Sequence, residues 1–255
     1  MASDNEGKLF IYSVFGFFFG IYLFFKGFKW LKLKRLIENM PTSKIRSLAM
    51  GLVEIYGEVI PSKGQLLKSP FSNHDCVYYK YEIQELRRSK RSTYWATIKS
   101  GEKGGYFFLK DNTGMVLVNP ADAEIEIPLD FETRTLNSKN NPALTAFFTS
   151  INFSANGFLG FGRTLKYQEY YIAPKDKLFI MGTAGDNPFV EEGTGAYNDA
   201  DIMIQKGKDQ IYYLSDSNEK DLLGKLKWKT VGGLFGGAAL SLVCLSIIFI
   251  YLGVF

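Results

Sequence analysis

Residues 231–255 read VGGLFGGAALSLVCLSIIFIYLGVF, without a single charged side chain. A helix needs about 20 mostly apolar residues to cross the hydrocarbon core of a bilayer, so this stretch predicts a transmembrane helix. Residues 9–25 read LFIYSVFGFFFGIYLFF and are also uncharged. This stretch extends to residue 30 if Lys26 and Lys29 direct their ammonium groups toward the lipid headgroups. We therefore predict one transmembrane helix near each end of the sequence.

The two spans define the domain organisation that we predict. Each span continues on its inner side as a helical stalk, and Ser215 or Ser217 is placed to cap the second stalk. A cleaved signal peptide is the alternative interpretation of the first span. The sequence, however, begins with acidic residues and lacks a small-residue cleavage pattern after the span, and both features favour a retained anchor. The predicted segments are an outer tail (1–8), a transmembrane helix (9–30), a stalk (31–40), a β-rich domain (41–214), a stalk (215–230) and a transmembrane helix (231–255).

Basic residues flank both spans on the side of the soluble domain. Lysine and arginine near span ends stay preferentially in the cytoplasm, so we predict a cytoplasmic domain with both termini outside. The net charge of +4 is small, and these flanks suit an anionic lipid surface better than nucleic acid. The flanking residues are Lys26, Lys29, Lys32, Lys34 and Arg35 after the first span, and Lys220, Lys225, Lys227 and Lys229 before the second.

Between the stalks, short β segments alternate with glycine and proline. Residues 76–86, CVYYKYEIQEL, place Val77, Tyr79, Tyr81 and Ile83 on one face with the period of a strand. The turns GEKGG, DNTG and PKD, and the pair ADIMIQKG and QIYYLSD, predict successive hairpins. A short helix is predicted from Pro142, because proline favours the first helical position. The sequence therefore predicts a mainly β soluble domain, a small barrel or OB-like fold with a short helix, between two transmembrane α-helices.

Four stretches of the soluble region resemble the GIDE domain, also called the BAM or beside-a-membrane domain. They read IENMPTSKIRSLAMGLVEIYGEV (37–59), SPFSNHDCVYYKYEIQE (69–85), FFLKDNTGMVLVNPADAEI (107–125) and YQEYYIAPKDKLFIMGTA (167–184). The segment PTSKIRSLAMGLVEI is the most specific of them. The family includes a mitochondrial ubiquitin ligase in which two spans carry this domain and a zinc RING module follows the second span. The resemblance implies a role in ubiquitin transfer, but we expect this chain, which ends at Phe255, to lack the RING module.

The cysteine and histidine content argues against metal and disulfide chemistry. The sequence contains two cysteines, Cys76 and Cys244, and one histidine, His74. A structural zinc site needs about four such ligands, and the two cysteines lie in different predicted segments. We therefore expect no disulfide, no metal site and no bound cofactor.

Two sets of residues have the chemistry of an enzyme site. His74, Asp75 and Cys76 contain the residue types of a nucleophile and a base, although only His74 and Cys76 would share one side of a strand. A buried cysteine at the start of a strand explains the same residues. Asp111, Glu124 and Glu126 are candidate catalytic carboxylates, but nothing in the sequence distinguishes them from surface residues.

A basic run precedes the aromatic residues Tyr94 and Trp95. Such a cluster is able to contact an anionic lipid surface or a polyanion. A solvated hairpin tip explains it equally well. The run consists of Arg87, Arg88, Lys90 and Arg91.

Glycines recur four residues apart in both predicted spans. Because four residues make about one helical turn, each pair lies on one stripe and lets another helix approach closely. The partner is either the other span of the same chain or a second protein, and glycine merely tolerated in lipid is the alternative. The predicted helix-packing residues are Gly16 and Gly20 in the first span, and Gly232, Gly233, Gly236 and Gly237 in the second.

Phenylalanines cluster around the predicted short helix. Exposed aromatic residues near a membrane enter the headgroup layer, whereas buried ones build a core. The sequence leaves both interpretations open for Phe147, Phe148, Phe153, Phe158 and Phe161.

Since no motif carries a recognisable reaction, we predict a non-catalytic, membrane-anchored module. Its expected partners are membrane lipid and either itself or another membrane protein, with no nucleic acid and no small-molecule substrate. The alternative function, implied by the family resemblance, is an accessory component of ubiquitin-type ligation that lacks its own RING.

Overall fold

A computed structural model describes residues 2–64, 66–89, 92–134, 142–153, 163–190, 201–208, 211–217 and 219–253. The chain divides into two units, one formed by Met1–Pro41 with Asn218–Phe255 and the other by Thr42–Ser217. The helices are α1 (Ala2–Asn39), α2 (Pro142–Ser150), α3 (Glu219–Val231) and α4 (Gly237–Tyr251), and a π-helical segment, Gly232–Gly236, joins α3 to α4.

The first unit consists of two long helices that contact each other, α1 and the continuous helix formed by α3, the π segment and α4. Both are long and apolar enough to cross a membrane. Their apolar side chains point outward rather than into a protein core, since Phe15, Phe18, Phe235 and Leu242 are 64–72% exposed. This exposure is what lipid-facing side chains require, because lipid replaces protein as the apolar surroundings.

The strands belong to the second unit, in which the largest sheet has seven strands. In chain order they are β1 (Gly51–Pro61), β2 (Leu67–Lys68), β3 (Asp75–Cys76), β4 (Tyr78–Arg88), β5 (Thr93–Gly104), β6 (Phe107–Lys110), β7 (Met115–Val118), β8 (Glu124–Glu126), β9 (Phe131–Thr133), β10 (Leu165–Ile172), β11 (Lys177–Asp186), β12 (Ile202–Gln205) and β13 (Tyr213–Ser215).

Five of these strands close into a barrel with the order β1-β6-β7-β12-β11, because β11 pairs back with β1. The register aligns Ile55 with Ile180, and both side chains are fully buried in the core. Numbered along the chain, the barrel order is 1-2-3-5-4, with a parallel pair only between the third and fifth strands. This arrangement confirms the prediction of a small OB-like barrel with a short helix and two flanking apolar helices.

A second sheet, of order β5-β4-β10-β9, carries its own aromatic core beneath α2. Phe71 lies at the centre of this core, where its ring contacts those of Tyr81, Phe147, Phe148 and Tyr167. Phe148 is 7% exposed, and Phe147 and Phe153 pack against the same cluster. These three phenylalanines therefore build a core. Phe158 and Phe161 lie outside the described residues.

Three of the predicted hairpins are wrong. Residues 101–104, predicted as part of the GEKGG turn, instead form the last residues of β5, which pairs with β4. The next strand, β6, pairs with β1 and β7 rather than with β5. Strands β10 and β11 belong to different sheets, and β12 and β13 each pair with β11 rather than with each other. The reason is that a turn signal shows where a chain reverses, not which strand edges it joins. The DNTG turn between β6 and β7 is a hairpin as predicted.

Candidate functional site

The contact between α1 and α4 is closest at two of the predicted glycines, Gly20 and Gly237. A Cβ atom on Gly20 would lie 2.8 Å from the carbonyl oxygen of Gly237, and one on Gly237 would lie 2.7 Å from the backbone nitrogen of Phe24. Real Cβ atoms do not approach backbone so closely, so a side chain at either position would push the helices apart. The Ser241 hydroxyl donates a hydrogen bond of 3.4 Å to the Phe17 carbonyl across this contact.

The close contact continues along both helices. On the α3 side, a Cβ atom on Gly233 would lie 2.8 Å from Cα of Gly27. Toward the other end, one on Gly16 would lie 2.6 Å from the Cys244 sulfur. Gly27 was not among the predicted glycines, although it follows Gly20 at a spacing of two helical turns, which places both glycines on one stripe.

The remaining two predicted glycines, Gly232 and Gly236, face away from this contact. Both are exposed, and a Cβ atom on either would meet no heavy atom within 4 Å. The four glycines between residues 232 and 237 therefore divide into a pair in contact with α1 and a pair on an open face. Their spacing alone did not separate the two pairs.

The basic run lies at the end of the β4–β5 hairpin. Arg87 and Arg88 are exposed, and Lys90 and Arg91 lie outside the described residues. Glu85 accepts a hydrogen bond of 3.2 Å from Arg87 Nε and lies 3.3 Å from Arg163 Nε. One carboxylate thus balances two guanidinium groups at this end of the sheet.

Two further cations gather near the basic run, on the ring of Trp95. The Arg134 guanidinium lies 5.4 Å from the centre of this ring, and the Lys166 ammonium lies 5.0 Å from it. A cation over an indole face is attracted by the ring quadrupole. The fold therefore brings cations from outside the basic run onto the aromatic residue that follows it, which sequence spacing did not indicate.

His74, Asp75 and Cys76 do not form a nucleophile–base pair. The His74 ring stacks on Tyr171 with 4.8 Å between ring centres, and Asp75 forms an ion pair of 2.6 Å with Lys68. Cys76 is fully buried, and its thiol donates to the Leu67 carbonyl at 3.8 Å. Burial, aided by the carboxylates of Glu169 and Asp75, raises the pKa of the Cys76 thiol to about 12. The thiolate needed for nucleophilic attack is therefore strongly disfavoured.

The candidate carboxylates hold local structure. Burial acts to raise the pKa of Asp111, but hydrogen bonds from the Thr113 hydroxyl and from the backbone of Ile45, Thr113 and Gly114 hold it below its usual value. Glu126 accepts a hydrogen bond of 2.8 Å from the Tyr213 hydroxyl, and Glu124 lies in the short strand β8. Within the described part of the chain, no group of three or more His, Cys, Asp or Glu residues is arranged to hold a metal ion.

Glu169, which no sequence pattern indicated, accepts three hydrogen bonds from the loop that carries Phe71. It is fully buried on β10. It accepts hydrogen bonds from the Phe71 amide, from the Ser72 amide at 3.0 Å and from the Ser72 hydroxyl at 2.7 Å. These bonds fix the loop that carries Phe71 into the aromatic core. No local signal marks Glu169, because its partners lie in a distant part of the sequence.

Comparison with known proteins gives one match. No match to this chain is found among the curated proteins or among the solved structures. The family model GIDE, described as E3 ubiquitin ligase, matches residues 78–249. The match covers more than half of the chain, from β4 into α4, although it begins after the segment 41–55 in which the sequence resemblance is most specific. On this evidence the chain belongs to the GIDE family.

Proposed function

We propose that this chain is a two-pass integral membrane protein and a non-catalytic assembly module, which presents its GIDE domain at the membrane surface. The observation that carries the proposal is the open glycine face of Gly232 and Gly236. Apolar side chains have no hydrophobic reason to associate in lipid, so helix association depends on close backbone approach. Gly233 and Gly237 already serve the contact with α1, which leaves Gly232 and Gly236 for a helix of a second copy or of another membrane protein.

Replacing Gly236 by leucine is expected to abolish this assembly. A Cβ atom at this position meets no heavy atom of α1 or of the β domain within 4 Å, so the leucine extends into the space that a second helix would occupy. We expect wild-type protein extracted from native membranes in mild detergent to elute as a complex, and Gly236→Leu to elute as a single chain. Size-exclusion chromatography with light scattering measures the difference, and Gly224→Leu, which also lies in open space, is the matched control.

Mass spectrometry of the eluted wild-type complex identifies the partner protein. A wild-type protein that is a single chain in membranes, or a Gly236→Leu variant that keeps the wild-type complex, would contradict the role of the open glycine face. In the first case the chain does not assemble, and in the second case its assembly surface lies away from Gly236.

We also propose that the domain faces the cytoplasm, which is supported by the basic residues that flank both spans. A cysteine replacing Ser89, which is exposed at the β4–β5 hairpin tip, reports this orientation because both native cysteines are buried. We expect a membrane-impermeant maleimide to label Ser89→Cys only after the cells are opened. Labelling of intact cells at the same rate as opened cells would reverse the proposed topology.

A second candidate function is supported by the family description as E3 ubiquitin ligase. In this view the chain is an accessory component that holds a separate ligase at the membrane. Recovery of a RING-containing protein in the wild-type complex, and its loss from the Gly236→Leu preparation, would favour this function over self-assembly.

A further inference from the structure

The outer edge of β5 is the longest unpaired strand edge in the described part of the chain. β5 runs over 12 residues, Thr93–Gly104, and its inner edge pairs with β4 at every residue except Ile98. Because β5 is the first strand in the order β5-β4-β10-β9, no described residue pairs with its other side. An exposed edge presents a row of unpaired N–H and C=O groups, which is a template for another strand.

A bulge divides this edge into two parts. The register shifts between Ile83 and Gln84, which pair with Lys99 and Thr97 respectively and leave Ile98 as the extra residue. Bulges are one means by which proteins blunt strand edges. Here the bulge leaves residues 99–104 in continuous register with β4, which is about 20 Å of regular edge.

The side chains along residues 99–104 favour an acidic partner. Lys103 is exposed and Lys99 is partly exposed, and neither forms an ion pair with a described residue. The nearby carboxylate of Glu102 accepts a hydrogen bond of 2.7 Å from the buried Tyr78 hydroxyl. Two ammonium groups thus remain available to carboxylates on an added strand, since opposite charges across strands are stabilising.

The same charges disfavour a second copy of this chain as the partner. A two-fold axis through Gly101 would pair two β5 edges antiparallel and set Lys99 of each copy opposite Lys103 of the other. Like charges directly opposite one another in a sheet are destabilising. An acidic segment of a different protein avoids this repulsion.

The edge ends at a cavity of about 420 Å³, lined by residues that include Tyr78, Gly104, Tyr106 and Pro120. Strand addition gains affinity from main-chain hydrogen bonds and specificity from pockets that take side chains of the added strand. Tyr106 and Pro120 give this cavity an apolar wall, and the remaining lining includes the polar side chains of Glu102, Lys103, Asn119 and Asp122. An aromatic side chain at one end of the added strand fits such a wall.

We propose that residues 99–104 of β5 bind an extended acidic segment of a partner protein as an added strand, with an apolar side chain of that segment in the adjoining cavity. The surface lies wholly within the second unit. Its occupation does not depend on the helix assembly proposed above, so failure of either proposal leaves the other standing.

The test uses the full-length protein in nanodiscs of neutral lipid. The probe is a short fluorescent peptide of alternating glutamate and valine that ends in phenylalanine, and fluorescence anisotropy measures its binding. We expect a peptide N-methylated at every backbone amide to bind about tenfold or more weakly, because it has lost its main-chain donors on both edges. The double substitution Lys99→Glu with Lys103→Glu is expected to weaken binding of the unmethylated peptide by at least a similar factor.

The matched control for charge is Lys63→Glu with Lys208→Glu, which changes the net charge equally at two exposed lysines elsewhere in the second unit. This control should bind the peptide as the wild type does, and the peptide should slow hydrogen exchange of β5 amides. The proposal would be overturned if the wild type bound no peptide, or if it bound the N-methylated peptide as tightly as the unmethylated one. It would also be overturned if the control variant lost as much affinity for the peptide as the Lys99→Glu, Lys103→Glu variant. Binding of anionic vesicles but not of the peptide, dependent on Lys99 and Lys103, would assign the surface to lipid instead.

Discussion

Glu169→Ala is expected to destabilise the β domain by about 3–5 kcal/mol, since hydrogen bonds to a charged group each contribute about 1.5–3 kcal/mol and buried donors left without acceptors are costly. The buried Glu169 carboxylate is the acceptor for two amides and one hydroxyl of Phe71 and Ser72. Alanine provides no replacement acceptor, and the loop that holds Phe71 in the aromatic core loses its attachment. We expect the melting temperature to fall by about 10 °C.

Near-ultraviolet circular dichroism of the full-length protein in detergent measures this melting, because it reports the packing of aromatic rings such as those around Phe71. Glu169→Gln should be intermediate, since its amide retains one acceptor oxygen. Glu58→Ala, at an exposed position on β1, is the control and should melt as the wild type does. A Glu169→Ala variant that melts within about a degree of wild type would show that the carboxylate does not hold the loop.

Gly237→Leu is expected to separate α1 from α4, and a disulfide across the contact provides the measurement. A Cβ atom on Gly16 would lie 3.9 Å from Cβ of Cys244, within the range of about 3.5–4.5 Å found in disulfides. Oxidation of Gly16→Cys should therefore link the two helices almost completely. In the Gly16→Cys background, Gly237→Leu should reduce this link to background, because leucine displaces the backbone of Gly20 and Phe24.

The neighbouring substitution supplies the control. Gly236→Leu adds the same side chain one residue away, on a face where a Cβ atom meets no atom of α1 within 4 Å, and should leave the link intact. Proteolysis between the helices followed by non-reducing electrophoresis shows whether the fragments stay joined. Equal linking in the Gly236→Leu and Gly237→Leu variants would refute the packing. The β domain must melt as in the wild type in both the Gly236→Leu and the Gly237→Leu variants, so that a difference in linking reports the helix contact alone.

The parts of the fold that depend on local sequence pattern were predictable. Uncharged stretches indicated the two apolar helices, alternation in residues 76–86 indicated β4, and Pro142 indicated the start of α2. Glycine spacing predicted that small residues of the second apolar helix contact another helix, but two interleaved pairs have this spacing, Gly232 with Gly236 and Gly233 with Gly237. In the structure Gly233 and Gly237 are the pair that contacts α1. Which pair makes the contact depends on the rotation of the helix about its axis, and the local sequence does not determine that rotation.

The parts that depend on distant residues were not predictable. The residues that donate to Glu169 lie up to 98 positions away along the chain, so the sequence around it shows only an acidic residue in a strand. The turn between β10 and β11 likewise gives no sign that the chain passes from one sheet to the other. Both features result from tertiary pairing, which local propensity does not determine.

Closure of the barrel imposes an order on the folding of the newly made chain. β1 completes the barrel by pairing with β11, where Gly51 meets Ala184. Translation at about 5–20 residues per second delivers β11 on the order of 10 seconds after β1. During this interval the N–H and C=O groups on this edge of β1 have no final partner strand, while the first apolar helix has already been synthesised. The nascent domain is therefore most vulnerable to misassociation before its second half has been synthesised.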